Sequence, residues 1–401
     1  MCHVIGEAIE MAVGRRQVLT GLAAGAAASL VLGKPASAAE IVDQKKRIEA
    51  SKVEAAQYRT KLMLLGTAGG PAFWPGTDRR SISSAVAVGD AIYMVDCGDG
   101  AGRRLQDAWG SETGGASAIK DVRALFLTHL HSDHVADYPT LILYGTFAGL
   151  EVKTPLKVFG PGRRGEMEPV FAPSGVAPTS LPVINPENPT PGTKDMTGYL
   201  YQAFATDLND RVRDTHRPDP NLTIVAQDIV IPEIEGFKSP NETPEPKMEP
   251  FKVYEDDRVR VSAILVNHFP VWPAFAFRFD TDDGSIVFSG DTCVSENLIR
   301  LARGADILVH EVILSAWVDE ILPAPRSEVE ESIHNHLLNA HTPVEKVGKV
   351  AADAGVSMLV LSHIVPGNAR SEELQAAQHG FDGKLVIGED LLQVGVGKKR
   401  I

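Results

Sequence analysis

Short apolar runs separated by polar, glycine-rich breaks mark the chain from about residue 61 onward, and their spacing predicts the elements. Lys61–Gly66 is an apolar run that stops at Gly66-Thr67-Ala68-Gly69-Gly70, a strand entering a loop. Ser84–Val88 and Ala91–Cys97 predict a hairpin turning at Gly89-Asp90. Residues 101–109 read as a helix. Val122–Thr128 is a strand that runs into a cluster of histidines, and helical spacing follows from Asp133 to Phe147. Further strands are predicted at Val259–Val266, Ala274–Asp280, Ser285–Ser289, Ile307–Val309, Met358–Ser362 and Lys384–Ile387, the last of the set. Leu298–Arg303 and Val344–Ala354 are helical, the second stopped by Gly355. Strands in runs, with helices after each run, predict two face-to-face sheets with helices outside.

The stretch from about 160 to 250 departs from this rhythm. Prolines stand at 161, 169, 173, 178, 182, 186, 189 and 191, which predicts an insertion covering one face. Met196–Val212 reads as a helix within it and Leu222–Ile231 as extended. Tyr199, Tyr201 and Phe204 are apolar anchors, so the stretch is not a plain linker.

The N-terminal pattern is of another kind. Arg15-Arg16 precedes an Ala-, Gly- and Leu-rich run from about Val18 to Leu32, and Pro35-Ala36-Ser37-Ala38-Ala39 follows with small residues. This resembles a twin-arginine signal. It implies a signal over 1–39, contact with the twin-arginine export machinery, and a periplasmic or secreted product. Residues 40–60 then read as a polar helical linker and 61–401 as the main domain.

Hydrophobic residues make up 44% and charged residues 23%, an ordinary balance for a folded domain. The net charge of −13 repels polyanions, which makes nucleic acid an unexpected partner. Cys97 and Cys293 are expected as separate buried thiols, with a bridge as the alternative in an oxidising compartment.

The strongest chemical signal is Thr128-His129-Leu130-His131-Ser132-Asp133-His134. It places four metal-ligand side chains within six residues, directly after a buried strand. His129 and His131, two apart near a strand end, point the same way. Asp133 and His134 follow in the turn. Imidazole and carboxylate together suit zinc, and manganese and iron accept the same donors.

H-x-H-x-D-H after a strand resembles the signature of the metallo-β-lactamase superfamily, an αββα sandwich with one or two metals at the sheet edges. Its later elements are matched by Val266-Asn267-His268, Phe288-Ser289-Gly290-Asp291-Thr292 and Leu359-Val360-Leu361-Ser362-His363. The resemblance implies a first metal on His129, His131 and His268, a second on Asp133, His134 and His363, and Asp291 bridging both. Leu65-Gly66-Thr67-Ala68-Gly69-Gly70-Pro71, Val309-His310-Glu311 and Asn339-Ala340-His341-Thr342 are similar to elements of the ribonuclease Z and arylsulfatase-like branch. That branch implies His341 as the group assisting the leaving oxygen, with Glu311 orienting it, and Asp133 orienting a metal-bridging hydroxide. The expected activity is hydrolysis of phosphate di- or triesters or sulfate esters. A lactonase or carboxylic-ester hydrolase is the alternative, and a metal-binding protein without turnover is a further one.

The remaining candidates carry less. His310 reads equally as a core histidine. His334 and His336, in a polar stretch, are expected to face solvent, and His216 to lie in a loop. Trp272 either lines the cleft or packs against the insertion. Cys293 is near the site without being a ligand. The expected substrate is a small-molecule ester, and a homodimer stays open.

Overall fold

In a computed structural model of the protein, the described residues are 38–110, 117–170 and 182–400. The twin-arginine pattern and the apolar run after it lie outside them. Two seven-stranded sheets pack face to face. The first has the order β14-β1-β2-β3-β4-β5-β6 and the second β13-β12-β11-β10-β9-β8-β7. In the first, β1 is Tyr58–Gly66, β2 Ser83–Val88, β3 Ala91–Val95, β4 Val122–Phe126, β5 Leu156–Gly160, β6 Ile224–Asp228 and β14 Gln393–Lys399. In the second, β7 is Phe251–Glu255, β8 Arg260–Leu265, β9 Phe275–Thr281, β10 Gly284–Phe288, β11 Ile307–Ile313, β12 Met358–Val365 and β13 Lys384–Ile387.

Each sheet joins an antiparallel half to a parallel half. β3 to β6 run parallel in the first sheet, and β10 to β13 in the second. Parallel strands need cover on both faces. The core between the sheets supplies one cover, with Leu62, Leu64, Val86, Phe126, Phe277 and Ile286 buried there. Helices supply the other: Leu105, Trp109 and Leu141 close over the first sheet, and Val347 and Ala351 over the second. The architecture is therefore the four-layer αββα sandwich that the pattern predicted. Among the described residues no helix is long and apolar enough to cross a membrane.

Several expectations need correction. Lys384–Ile387 is not the last strand, because Gln393–Lys399 returns to pair with β1. Its Val-Gly-Val-Gly-Lys-Lys composition carries too little apolar signal to announce a strand. The helix expected over 40–60 ends at Ala55, and β1 starts three residues earlier than its apolar run because Tyr58 and Thr60 pair with Lys399 and Val396. Met196–Val212 is two helices, Thr193–Ala203 and Ala205–Arg213, broken at Phe204. The proline-rich stretch is not wholly an overlay either. Ile224–Asp228 lies within it yet forms the edge strand beside β5. Finally, the polar stretch holding His334 and His336 is a helix, Glu328–Ala340. It opens on a capping box in which Ser327 Oγ accepts from the Glu330 N–H and Glu330 Oε2 accepts from the Ser327 N–H. Ile333 and Leu337 bury its inner face, so both histidines are half-buried rather than solvent-facing.

Candidate metal centre

The polar clusters sit at one end of the sandwich, where strands from both sheets stop. β4 ends at Phe126, and the next residues carry His129, His131, Asp133 and His134 into a short helix, Ser132–Val135. His268 follows β8, Asp291 follows β10, and His363 lies near the end of β12. Strand β12 has one more residue than β11 between the pairs His310–Leu361 and Val312–Ile364. The extra residue falls at Ser362-His363, opposite Glu311, and His363 has φ 45°. A bulge of this kind re-aims a side chain at a sheet rim.

All seven residues converge. His129, His131, His268 and Asp291 form one group with donor atoms within 4.8 Å of one another, and Asp133, His134 and His363 form a second. In the first group, His268 Nε2 is 3.3 Å from His131 Nδ1 and 3.7 Å from Asp291 Oδ2, and His129 Nε2 is 3.8 Å from Asp291 Oδ2. In the second, Asp133 Oδ2 is 3.3 Å from His363 Nε2 and 3.6 Å from His134 Nε2. Asp291 faces both groups, since its Oδ1 is 3.4 Å from His134 Nε2 and its Oδ2 3.1 Å from His363 Nε2. Donors held tetrahedrally at about 2.1 Å around zinc stand about 3.4 Å apart, so these spacings fit such an ion.

The hydrogen-bond account agrees. His129 Nε2, His134 Nε2 and Asp291 Oδ1 are buried and have no hydrogen-bond partner. Orphaned polar atoms in a dry interior are costly unless something compensates them. The opposite ring nitrogens are held by protein. His134 Nδ1 donates to Asp96 Oδ2 at 2.9 Å, and His268 Nδ1 donates to the Ala340 carbonyl at 2.8 Å. Fixing one ring nitrogen in this way leaves the other free as a ligand.

Asp96 is a residue the sequence reading missed. It is buried, has φ 58°, and also accepts from the backbone N–H and hydroxyl of Thr128. Its place at the tip of β3, one strand from the histidine cluster, was the available signal. Gly70 is another omission, for its N–H donates to Asp133 Oδ2 at 2.9 Å. Gly69 packs so closely on the His363 ring that a Cβ there would sit 2.5 Å from it.

Charge at the site follows burial and neighbours. Burial and the nearby His134 keep His129 well below the ordinary imidazole range, and burial does the same for His268. His131 falls to about 4, chiefly through burial. Neutral imidazoles are what a cation requires; His134 differs, because burial there is outweighed by Asp291, Asp96 and Asp133, which lift it well above the ordinary range. Burial pushes the Asp291 carboxyl up, but His363 and His134 outweigh it and hold it well below the usual range.

His341 caps the end of the helix Glu328–Ala340, and its ring centroid lies 5.0 Å from that of His268 and 5.7 Å from that of His363. Its Nδ1 stands 3.3 Å from Glu311 Oε1. Burial opposes protonation there, but Glu311 first, then Asp291 and Asp133, lift its pKa to about 9. Glu311 Oε1 is itself fixed by the N–H groups of Thr292 and Thr342. His341 also falls within 4.8 Å of Asp291 and His363 as a donor group.

The other candidates separate. Burial, then the neighbours His341 and His131, push His336 down to about 3. His334 bonds Asp319 at 2.8 Å, and His216 is exposed in a loop. Trp272 stacks on Phe237 of the proline-rich stretch at 5.7 Å, and Arg164 donates to the Pro270 carbonyl in the same loop. Cys97 and Cys293 are both free thiols, the first buried and the second partly so.

Comparison with known proteins decides the family. Residues 77–201 match the model of the metallo-beta-lactamase superfamily. The ribonuclease Z of Mycobacterium bovis is 31% identical over 343 residues, which cover 85% of this chain and 99% of that protein. The chain belongs to the metallo-β-lactamase superfamily. Its relatives include the ribonuclease Z of Mycobacterium marinum, 30% identical over 84% of this chain and 98% of that protein. Human tRNase Z, short form, shares the fold with a TM-score of 0.51 at 15% identity, over 84% of this chain and all of that one. This member of the superfamily is a metal-dependent hydrolase acting on ester bonds.

Proposed function

We propose that this protein hydrolyses small phosphate and sulfate esters, phosphodiesters first and phosphotriesters and sulfate esters next, with two zinc ions held by the seven converging residues. The observation that carries the reading is Asp291, a buried carboxylate facing two donor groups and lacking a hydrogen-bond partner on Oδ1. His129, His131 and His268 would hold one ion and Asp133, His134 and His363 the other. A pair of divalent cations supplies electrostatic stabilisation of an anionic ester and acidifies water towards neutral pH. The protein's own groups supply the rest. Asp133, pinned by the Gly70 N–H, orients the attacking water. His341, with Nδ1 beside Glu311, would deliver a proton to the departing oxygen.

Relatives named ribonuclease Z support phosphodiesters as the substrate class. A net charge of −13 favours small substrates over RNA, as does a proline-rich stretch tied to the His268 loop through Arg164 and Phe237. We assign that stretch the cover over the site. A panel of chromogenic phosphodiesters, phosphotriesters, sulfates and lactones, with a precursor tRNA beside them, tests the reading. Turnover of bis-p-nitrophenyl phosphate with about two metals per chain is expected. Cleavage of the tRNA alone overturns the small-substrate reading, and preference for lactones overturns the phosphate- and sulfate-ester one. His341→Ala should lower kcat while metal content stays intact; loss of metal in that variant removes its leaving-group role.

The twin-arginine pattern supports export as a further proposal. Mass spectrometry of the protein from its host should find an N-terminus near residue 40, lost on changing Arg15 and Arg16 to lysine. An unprocessed chain in the cytoplasm rejects it.

A further inference from the structure

Adjoining the metal centre, between the sheets, is a pocket of about 20 Å³ whose lining also takes in His134, Asp291 and His363. One ordered water needs roughly 10–15 Å³ by the same measure, so there is room for one. Ser84 of β2 lines it from the first sheet, and His310, Glu311 and Ser362 line it from β11 and β12. The bulge at Ser362-His363 falls opposite Glu311, at this cavity. All four of these residues are buried, and each carries a polar atom without a protein partner: Ser84 Oγ, His310 Nε2, Glu311 Oε2 and Ser362 Oγ. His134 Nε2, Asp291 Oδ1 and His363 Nδ1 in the same lining also lack a protein partner and belong to the metal centre; the other four need a partner of their own, because an unmet buried polar atom is costly.

Their chemistry is complementary to a single molecule. His310 Nδ1 lies 2.7 Å from the Glu311 carbonyl, which accepts only, so Nδ1 carries the proton and Nε2 is an acceptor. Glu311 Oε2 is an acceptor too, its partner oxygen already taking the Thr292 and Thr342 N–H groups. The two serine hydroxyls are donors. The site thus offers two acceptors and two donors, the complement of one tetrahedral water.

We infer that this cavity is a binding site for one internal water, which donates to His310 Nε2 and Glu311 Oε2 and accepts from Ser84 and Ser362. The water fixes the second oxygen of Glu311, and Glu311 holds His341. His310 is thereby a positioning residue for His341, acting through the water without touching substrate.

A crystal structure of the metal-loaded protein at about 1.5 Å resolution tests the site directly. A density peak at about 2.7–3.2 Å from at least three of the four atoms is expected. An empty cavity, or side chains that satisfy one another, overturns it. This test does not depend on which ester is the substrate; the kinetic consequence rests on the reading above. With bis-p-nitrophenyl phosphate, His310→Phe should fill the cavity and lower kcat about tenfold. KM and bound metal should stay within twofold, and His310→Gln, which restores an acceptor, should recover most of the loss. If His310→Phe does not fold, the double variant Ser84→Ala/Ser362→Ala replaces it and should lower kcat severalfold without loss of metal. Unchanged kcat in the folded variant, or equal loss in His310→Gln, removes the positioning role.

Discussion

The two ends of the sandwich treat an aspartate in opposite ways. At the end away from the site, Asp256 accepts from the Tyr93 and Tyr254 hydroxyls at 2.7 and 2.8 Å, from the N–H groups of Arg258 and Val259, and from Arg123 at 3.2 Å. Its charge is fully answered by protein. At the site end, Asp291 is more deeply buried, is ringed by four imidazoles, and leaves Oδ1 without a donor. The first arrangement is what stability asks of a carboxylate. The second makes sense only if something outside the chain completes it. A negative charge alone says little; what separates a fastener from a ligand is whether the polypeptide has already filled its lone pairs.

The sharpest way to break that contrast is Asp291→Asn. Removing the shared charge should cost both metals by elemental analysis and lower turnover at least ~1,000-fold, since ion-borne stabilisation amounts to several kcal/mol. Two metals retained at wild-type affinity would mean that Asp291 does not join the groups. Asp96→Ala is expected to act one step out. It frees the His134 ring and the Thr128 turn, so metal affinity should fall about 10–100-fold in a chelator competition while the fold persists. An unchanged affinity would make Asp96 a purely structural residue.

Asp256→Ala should give the reverse profile. Two tyrosine hydroxyls lose their acceptor and Arg123 is left with Asp257 alone, so denaturant unfolding should show a loss of roughly 2–3 kcal/mol. Activity per folded molecule and metal content should stay unchanged. A fall in metal content would show that the two ends are coupled, and the contrast between them would fail.

Legibility in the sequence followed the same division. The run from His129 to His134 was readable because four donors share one turn after a strongly apolar strand. His268, Asp291 and His363 are isolated polar residues at the ends of separate strands, and only the resemblance to a known family drew them into the set. Glu311 and His341 depended on it as well. Asp96 escaped because a second layer of support has no fixed spacing from what it supports; Val95-Asp96 looks like any strand end. The fold was legible where strands are continuously apolar, as in β3 and the Leu62–Leu65 part of β1. It was obscure at the edges: β14, rich in glycine and lysine, and β6, inside a proline-rich stretch, are defined by their pairing partners rather than by their own composition.

A third aspartate, this one buried, refines the comparison, and the effect expected from it is the smallest in direct reach on function. Asp390 accepts from Thr67 Oγ1 at 2.9 Å and from the Arg80 N–H at 2.8 Å, with Arg104 at 3.4 Å. Burial nevertheless outweighs these partners and lifts its pKa from 3.8 to about 6. The carboxyl is thus easier to protonate in the folded chain than in the unfolded one. Its contribution favours the fold at low pH and is lost as pH rises from about 4 through 6, by up to ~3 kcal/mol. Asp390→Asn removes that titration. Relative to wild type, the variant should gain stability between pH 4 and pH 7.5 in parallel denaturant titrations, with metal content and kcat unmoved. A wild-type-minus-variant difference that stays flat over this range would show that Thr67, Arg80 and Arg104 answer Asp390 as completely as Asp256 is answered. Burial without a full set of donors would then no longer distinguish the two carboxylates.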